Sequence, residues 1–108
     1  LARRLERDPA PWSRVLGSLA RSAAANAAGE RAEAIDALRG GLARSEEASM
    51  WLHAWAAAYQ LGSLLGGEEG AAFVGRAERA MSEEGVRAPA RMARMLLPGR
   101  FDRGPSAP

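Results

Sequence analysis

Apolar residues along this chain recur every three or four positions, in runs that glycine and proline interrupt. Such spacing places side chains on one face of an α-helix. Alanine is the commonest residue, with 25 copies, whereas threonine is absent and valine and isoleucine are few. Because alanine favours helices and β-branched residues favour strands, the sequence predicts an all-α fold.

The interruptions predict five helices. Asp8-Pro9-Ala10-Pro11 is a break that precedes the first helix, Gly29 ends that helix, and Glu30 opens the second. Ser45-Glu46-Glu47 has the composition of a helix N-terminus and predicts a third helix at about 47–65. The fourth and fifth helices are predicted at about 68–84 and 89–97. Short connections make neighbouring helices antiparallel, so we expect two helical hairpins followed by a short capping helix.

The length of 108 residues suits a single small domain. We assign residues 1–11 to the end of a preceding segment or a linker, residues 12–97 to the helical domain, and residues 98–108 to a flexible C-terminal tail. No run of about 18 apolar residues and no secretory leader is present, which predicts a cytoplasmic protein without a membrane partner.

Each helix has a predicted inner face. In the first helix it comprises Trp12, Val15, Leu16, Leu19, Ala20, Ala23 and Ala27, while Ser13, Ser18 and Ser22 lie off it. The third helix is apolar over a wide arc, which is typical of a helix packed on two sides, and we expect Trp55 to be its deepest residue. We expect the fifth helix to point Met92, Met95 and Leu96 inward and to cap the fourth helix.

Residues that carry chemistry are sparse. Cysteine and lysine are absent, and His53, the only histidine, has only Ser49 as a polar neighbour one helical turn away. The pairs Glu46-Glu47 and Glu68-Glu69 are interpreted as helix N-terminal residues, and Glu83-Glu84 precedes a glycine. We therefore predict no catalytic residues, no cofactor and no metal, and we do not expect an enzyme.

Aromatic residues are the candidate binding groups. Trp51, Trp55 and Tyr59 follow one another at four-residue spacing, so they share a helical face that is either core or a surface for a protein or peptide partner. Trp12 has the same two interpretations. Self-association through such a surface is a further alternative.

Charge suggests a second class of function. Residues 85–108 carry five arginines and one aspartate, whereas residues 1–84 carry ten arginines and twelve acids. A nucleic-acid-associated domain would use Arg87, Arg91, Arg94, Arg100 and Arg103. The basic end lacks interleaved aromatics other than Phe101, and the whole chain has a net charge of only +2, so we prefer a protein partner. A third alternative is a non-catalytic helical fragment of a larger enzyme.

The two predicted hairpins look related to each other. Gly29-Glu30 and Gly67-Glu68 occupy the two bends, and Ala34 and Ala72 each lie five residues beyond the glycine. The resulting spacing of 38 residues is close to the 34-residue period of the tetratricopeptide repeat (TPR). Residues that suit the positions of that repeat are Ser22, Gly29, Ala34 and Leu38 in the first hairpin, and Trp55, Ala56 and Tyr59 in the second.

Over about residues 12–101 the chain therefore resembles a TPR-like region. The sequences Pro89-Ala90-Arg91-Met92 and Pro98-Gly99 are similar to the last helix and stop of repeat regions joined to bacterial serine/threonine kinases and signalling ATPases. The resemblance implies the end of an α-solenoid and a protein–protein interaction module of a larger signalling protein, whose kinase or ATPase part lies outside this chain. Ala25 and Gly41 depart from the repeat pattern, which has a large aromatic and an alanine at those places.

Overall fold

The computed structural model describes residues 10–97, 99 and 101. The described residues form five α-helices and no strand, as the composition predicts. The helices are α1 (Pro11–Ala27), α2 (Arg31–Glu47), α3 (Trp51–Leu65), α4 (Gly67–Glu83) and α5 (Pro89–Leu96). The predictions for residues 1–9 and 102–108, for the stop at Pro98, and for Arg100 and Arg103 lie outside the described residues.

The boundary between α2 and α3 differs from the prediction. Glu46 and Glu47 belong to the last turn of α2, and α3 begins only at Trp51. The helix ends in a Schellman motif, in which the Met50 amide donates to the Ser45 carbonyl at 2.8 Å. Ser49 takes the left-handed conformation there, with φ of 56°, where glycine is usual. The sequence signal was missed because a serine replaces the expected glycine.

Consecutive helices pack against each other, and their order is that of two antiparallel hairpins. Gly66 alone joins α3 to α4, whereas residues 28–30 join α1 to α2. The two hairpins meet through α2 and α3. At the end where α2 begins, Arg31 Nη2 donates to the carbonyl of Leu64 at 3.0 Å, which satisfies a backbone acceptor near the end of α3.

One hydrophobic core joins the first three helices and the segment after α5. Its buried members are Val15, Leu19, Ala25, Ala34, Leu38, Ala57, Leu61, Leu64, Leu97 and Phe101. Helix α4 contributes the partly buried Phe73 to this core and buries Ala77 and Met81 as well.

The inner face of α1 is rotated from its predicted position. Ser13, Ser18 and Ser22 are fully buried, whereas Trp12 is 56% exposed and Ala27 is exposed. The small serine side chains allow α2 to approach α1 closely, and the Ser22 hydroxyl donates to the Leu19 carbonyl at 2.6 Å. Ser22 therefore loses little on burial, and Ser18 accepts a hydrogen bond from Arg44 Nη1 of α2, so polarity alone misassigned this face.

The segment after α5 is part of the hydrophobic core, which the sequence did not predict. Helix α5 packs mainly on α3 and only lightly on α4. Ala93 is its buried residue, while Met95, predicted to point inward, is 70% exposed. Beyond α5, Gln60 Nε2 donates to the Leu97 carbonyl at 3.3 Å. Phe101, which the sequence placed in a flexible tail, is only 3% exposed.

The proposed pairing of the two hairpins fails at one of its marker residues. Ala34 is fully buried near the start of α2, whereas Ala72, its predicted counterpart in α4, is exposed. Counted from the first residue of each helix, the position of Ala34 corresponds to Gly70, which is buried. The one-residue turn at Gly66 starts α4 earlier than the spacing of 38 residues assumes.

Candidate protein-binding groove

An open groove of about 1020 Å³ lies where the start of α3 faces the connection between α4 and α5. One wall is formed by the turn before α3 and by the first turns of that helix. The other wall comes from the end of α4, the following connection and α5. The lining residues are Ser49, Met50, Trp51, Leu52, His53, Trp55, Glu84, Val86 and Met92.

Large apolar side chains at this groove are exposed. Trp51 is 49% exposed and Leu52 is 44% exposed, and both lie in the first turn of α3. The buried face of α3 is provided by alanines and leucines further along the helix, including Ala54, Ala57 and Leu61. Adjacent exposed apolar residues at the mouth of an apolar groove are typical of a surface that contacts a partner.

Two of the four candidate partner-binding residues come together here. Trp51 and Trp55 both line the groove. Tyr59, one turn beyond Trp55, is partly buried and lies outside the groove lining. Trp12 is exposed at the start of α1 and is also absent from the lining.

Trp55 is only partly buried, so the prediction that it is the deepest residue is wrong. The largest fully buried side chains are Leu38, Leu61 and Met81. Trp55 stands between the groove and a smaller cleft that Leu42, Ala77 and other residues of α2, α3 and α4 line. Helices α3 and α4 come closest at Gly62 and Gly70, near their turn, whereas Trp55 lies about two turns away and lines an open cleft on each side.

The polar groups of the groove are Ser49, His53 and Glu84. His53 is partly buried, while Ser49 and Glu84 are exposed. Within the described part of the chain, no hydrogen bond joins these three side chains, and no three histidine or acidic side chains are grouped as metal ligands would be. Apolar contact is therefore the main chemistry that the groove offers.

Arginines are close in sequence to the lining residues of the second wall. Arg87 follows the lining residue Val86, and Arg91 precedes the lining residue Met92, while Arg94 lies further along α5. All three arginines are exposed. No acidic residue occurs in residues 85–97, and no ion pair involving these guanidinium groups is found among the described residues.

Sequence reasoning missed Leu52, Val86 and Met92 as members of this site. At 100° per residue, Leu52 lies about 160° from Ala54 and about 180° from Leu61, on the side of α3 away from these buried residues, which was a signal that it is exposed. Val86 and Met92 carry no such signal, because only the packing of α5 on α3 brings them to the groove.

Comparisons with known proteins add no relative, since no family model, curated protein or solved structure matches the chain. None of the described helices combines the length and the apolar character needed to cross a membrane. The functional assignment therefore depends on the groove itself.

Proposed function

We propose that this domain is a protein–protein interaction module that binds a protein or peptide partner in the groove at the start of α3. The observation that carries the proposal is the exposure of Trp51 and Leu52, 49% and 44%, at the mouth of an apolar groove. Tryptophan in a pocket that a partner desolvates is the residue type that most often dominates binding energy.

The wider setting that we propose is the C-terminal end of a TPR-like repeat region in a larger bacterial signalling protein of the cytoplasm. The order of helices supports it, because two consecutive antiparallel hairpins are followed by a short helix packed on the second hairpin. Small residues at the helix crossings, such as Ser22 and Ala34, also agree with the repeat pattern.

The groove can be tested with a helical model peptide of about 18 residues, long enough to form a helix, that presents leucines at three- and four-residue spacing. We expect binding to change the fluorescence of Trp51 and Trp55. Trp51→Ala should weaken binding by about 2 kcal/mol, in the range of an interface hot spot. Because Trp51 is half exposed, its removal should change the free energy of unfolding by no more than about 1 kcal/mol.

Trp12→Ala is the matched control, since Trp12 has a similar exposure of 56% but does not line the groove. We expect this variant to bind as the unmodified domain does, measured by fluorescence anisotropy of a labelled peptide. Equal loss of binding in both variants, or no binding by the unmodified domain, would contradict the proposed groove.

A further inference from the structure

We infer that the groove selects an acidic amphipathic segment, whose apolar side chains enter between Trp51 and Met92 while its carboxylates face Arg87 and Arg91. This inference rests on the proposed function and adds the chemical class of the partner. Three features carry it: the arginines next to the second wall, the absence of ion pairs to them among the described residues, and the orientation of α5.

Residues 85–97, which include most of the second wall, contain three arginines and no acid, whereas Glu84 directly before them also lines the groove. In the described part of the chain, these guanidinium groups have no carboxylate partner. Two other arginines do have a carboxylate partner, since Arg21 lies 3.9 Å from Asp36 and Arg39 lies 3.5 Å from Glu69. Of the described residues, none competes with an incoming anion for these guanidinium groups through an ion pair.

The orientation of α5 separates the arginines. Ala93 faces the protein interior and Met92 lines the groove. At 100° per residue, Arg91 lies 100° from Met92 on the helical wheel, whereas Arg94 points to nearly the opposite side. Of the two, Arg91 therefore lies closer to a segment that covers Met92, and Arg94 lies farther from it.

An exposed apolar residue of α5 extends the surface that a partner can contact. Met95 lies about 60° from Met92 on the same wheel and is 70% exposed. Methionine adapts its shape to different partners, which suits a surface that receives an amphipathic helix. The exposed apolar residues and the exposed arginines thus form two adjacent strips, which match the two faces of an acidic amphipathic helix.

Among the described residues that line the groove, Glu84 alone carries a carboxylate, and it provides an internal test. It is exposed at the C-terminal end of α4, so it repels an acidic segment at that end of the groove. Removing its charge should strengthen the binding of an acidic peptide, whereas removing the charge of Arg87 or Arg91 should weaken it.

The experiment uses three labelled peptides with the same leucine positions and with glutamate, glutamine or lysine elsewhere. We expect the glutamate peptide to bind about tenfold more tightly than the lysine peptide at about 0.05 M salt, and the preference to shrink at about 0.5 M salt. Arg91→Gln should weaken the glutamate peptide about threefold or more, and Glu84→Gln should strengthen it. Arg94→Gln is the matched control and should change its affinity less than twofold, or about 0.4 kcal/mol.

The outcomes separate the two proposals. If all three peptides bind equally, or the lysine peptide binds best, the acidic partner is wrong while the interaction groove stands. If no peptide binds, the groove itself is wrong. Nucleic acid would replace the acidic segment as the proposed partner under one result. That result is displacement of the labelled glutamate peptide by a single-stranded oligonucleotide of equal charge at a lower concentration than the unlabelled glutamate peptide requires. Concentration-dependent dimerisation that Trp51→Ala abolishes would replace the acidic segment with a second copy of this chain.

Discussion

Helices α1 and α2 meet over small hydroxyl side chains, whereas α3 and α4 meet backbone against backbone. In the first hairpin Ser18, Ser22 and Ser45 are fully buried, and a Cβ added to Gly41 would meet the side chain of Leu19 at 2.8 Å. In the second hairpin a Cβ added to Gly62 would lie 2.5 Å from the carbonyl oxygen of Gly70. A side chain can rotate away, but a helix backbone has to move as a whole. The contact between α3 and α4, the second crossing, should therefore tolerate an added side chain less well than the contact between α1 and α2, the first crossing.

The largest effect is expected at the second crossing. Gly62→Ala should lower the free energy of unfolding by about 2 kcal/mol, because overpacking against backbone costs about 3 kcal/mol and alanine regains about 1 kcal/mol through helix propensity. Urea denaturation of the purified domain measures this difference.

Gly75→Ala in α4 is the control for that prediction. The added Cβ would approach nothing closer than Arg79 Nη1 at 3.5 Å, which is ordinary contact. This variant should therefore gain up to about 1 kcal/mol from helix propensity. If Gly62→Ala were as stable as Gly75→Ala, the rigid second crossing would not exist in solution.

A smaller effect is expected at the first crossing. Gly41→Ala should change stability by less than about 1 kcal/mol, since displacement of the Leu19 side chain and the gain in helix propensity oppose each other. Its neighbour Gly40 has only Arg44 Nη1 at 3.7 Å from an added Cβ, so Gly40→Ala should be stabilising. Thermal unfolding of Gly41→Ala and Gly40→Ala measures this difference. If Gly41→Ala lost as much stability as Gly62→Ala, the two crossings would not differ in their tolerance of an added side chain.

The smallest effect is expected at Ser45. Its hydroxyl donates to the Gly41 carbonyl at 2.7 Å within the same helix. Ser45→Ala removes the donor together with its polar group and leaves no buried donor unpaired, so we expect stability to change by less than about 0.5 kcal/mol. A loss of several times that size in calorimetry would mean that the serines of the first crossing stabilise it through their hydroxyls, not through their small volume.

Local sequence patterns predicted the helices well and their buried faces less well. The end of α1 at Gly29 and the start of α5 at Pro89 could be predicted because those residues fix the backbone locally. The end of α2 was wrong because Ser49 adopts a conformation that serine seldom takes. The inner face of α1 was wrong because Ser18 and Ser22 are polar in composition but small enough to pack against another helix.

The candidate site was predictable only in part, for a related reason. Trp51 and Trp55 stood out because large aromatic residues at helical spacing are conspicuous within one segment. Val86 and Met92 belong to a different segment and contribute only after α5 has packed on α3. The exposed state of Trp51 also depends on where α3 begins, which the sequence placed about one turn too early.

The burial of Leu97 and Phe101 has a consequence for how the domain comes apart. A Cβ added to Gly99 would lie 3.8 Å from Asn26 Nδ2 of α1, so the chain after the fifth helix returns to the first. In a linear array of repeats each unit contacts only its neighbours and terminal units can unravel one at a time. Here the contact between distant parts of the sequence links the outermost helices, so amides in α1 and α5 should exchange with solvent in the same cooperative opening.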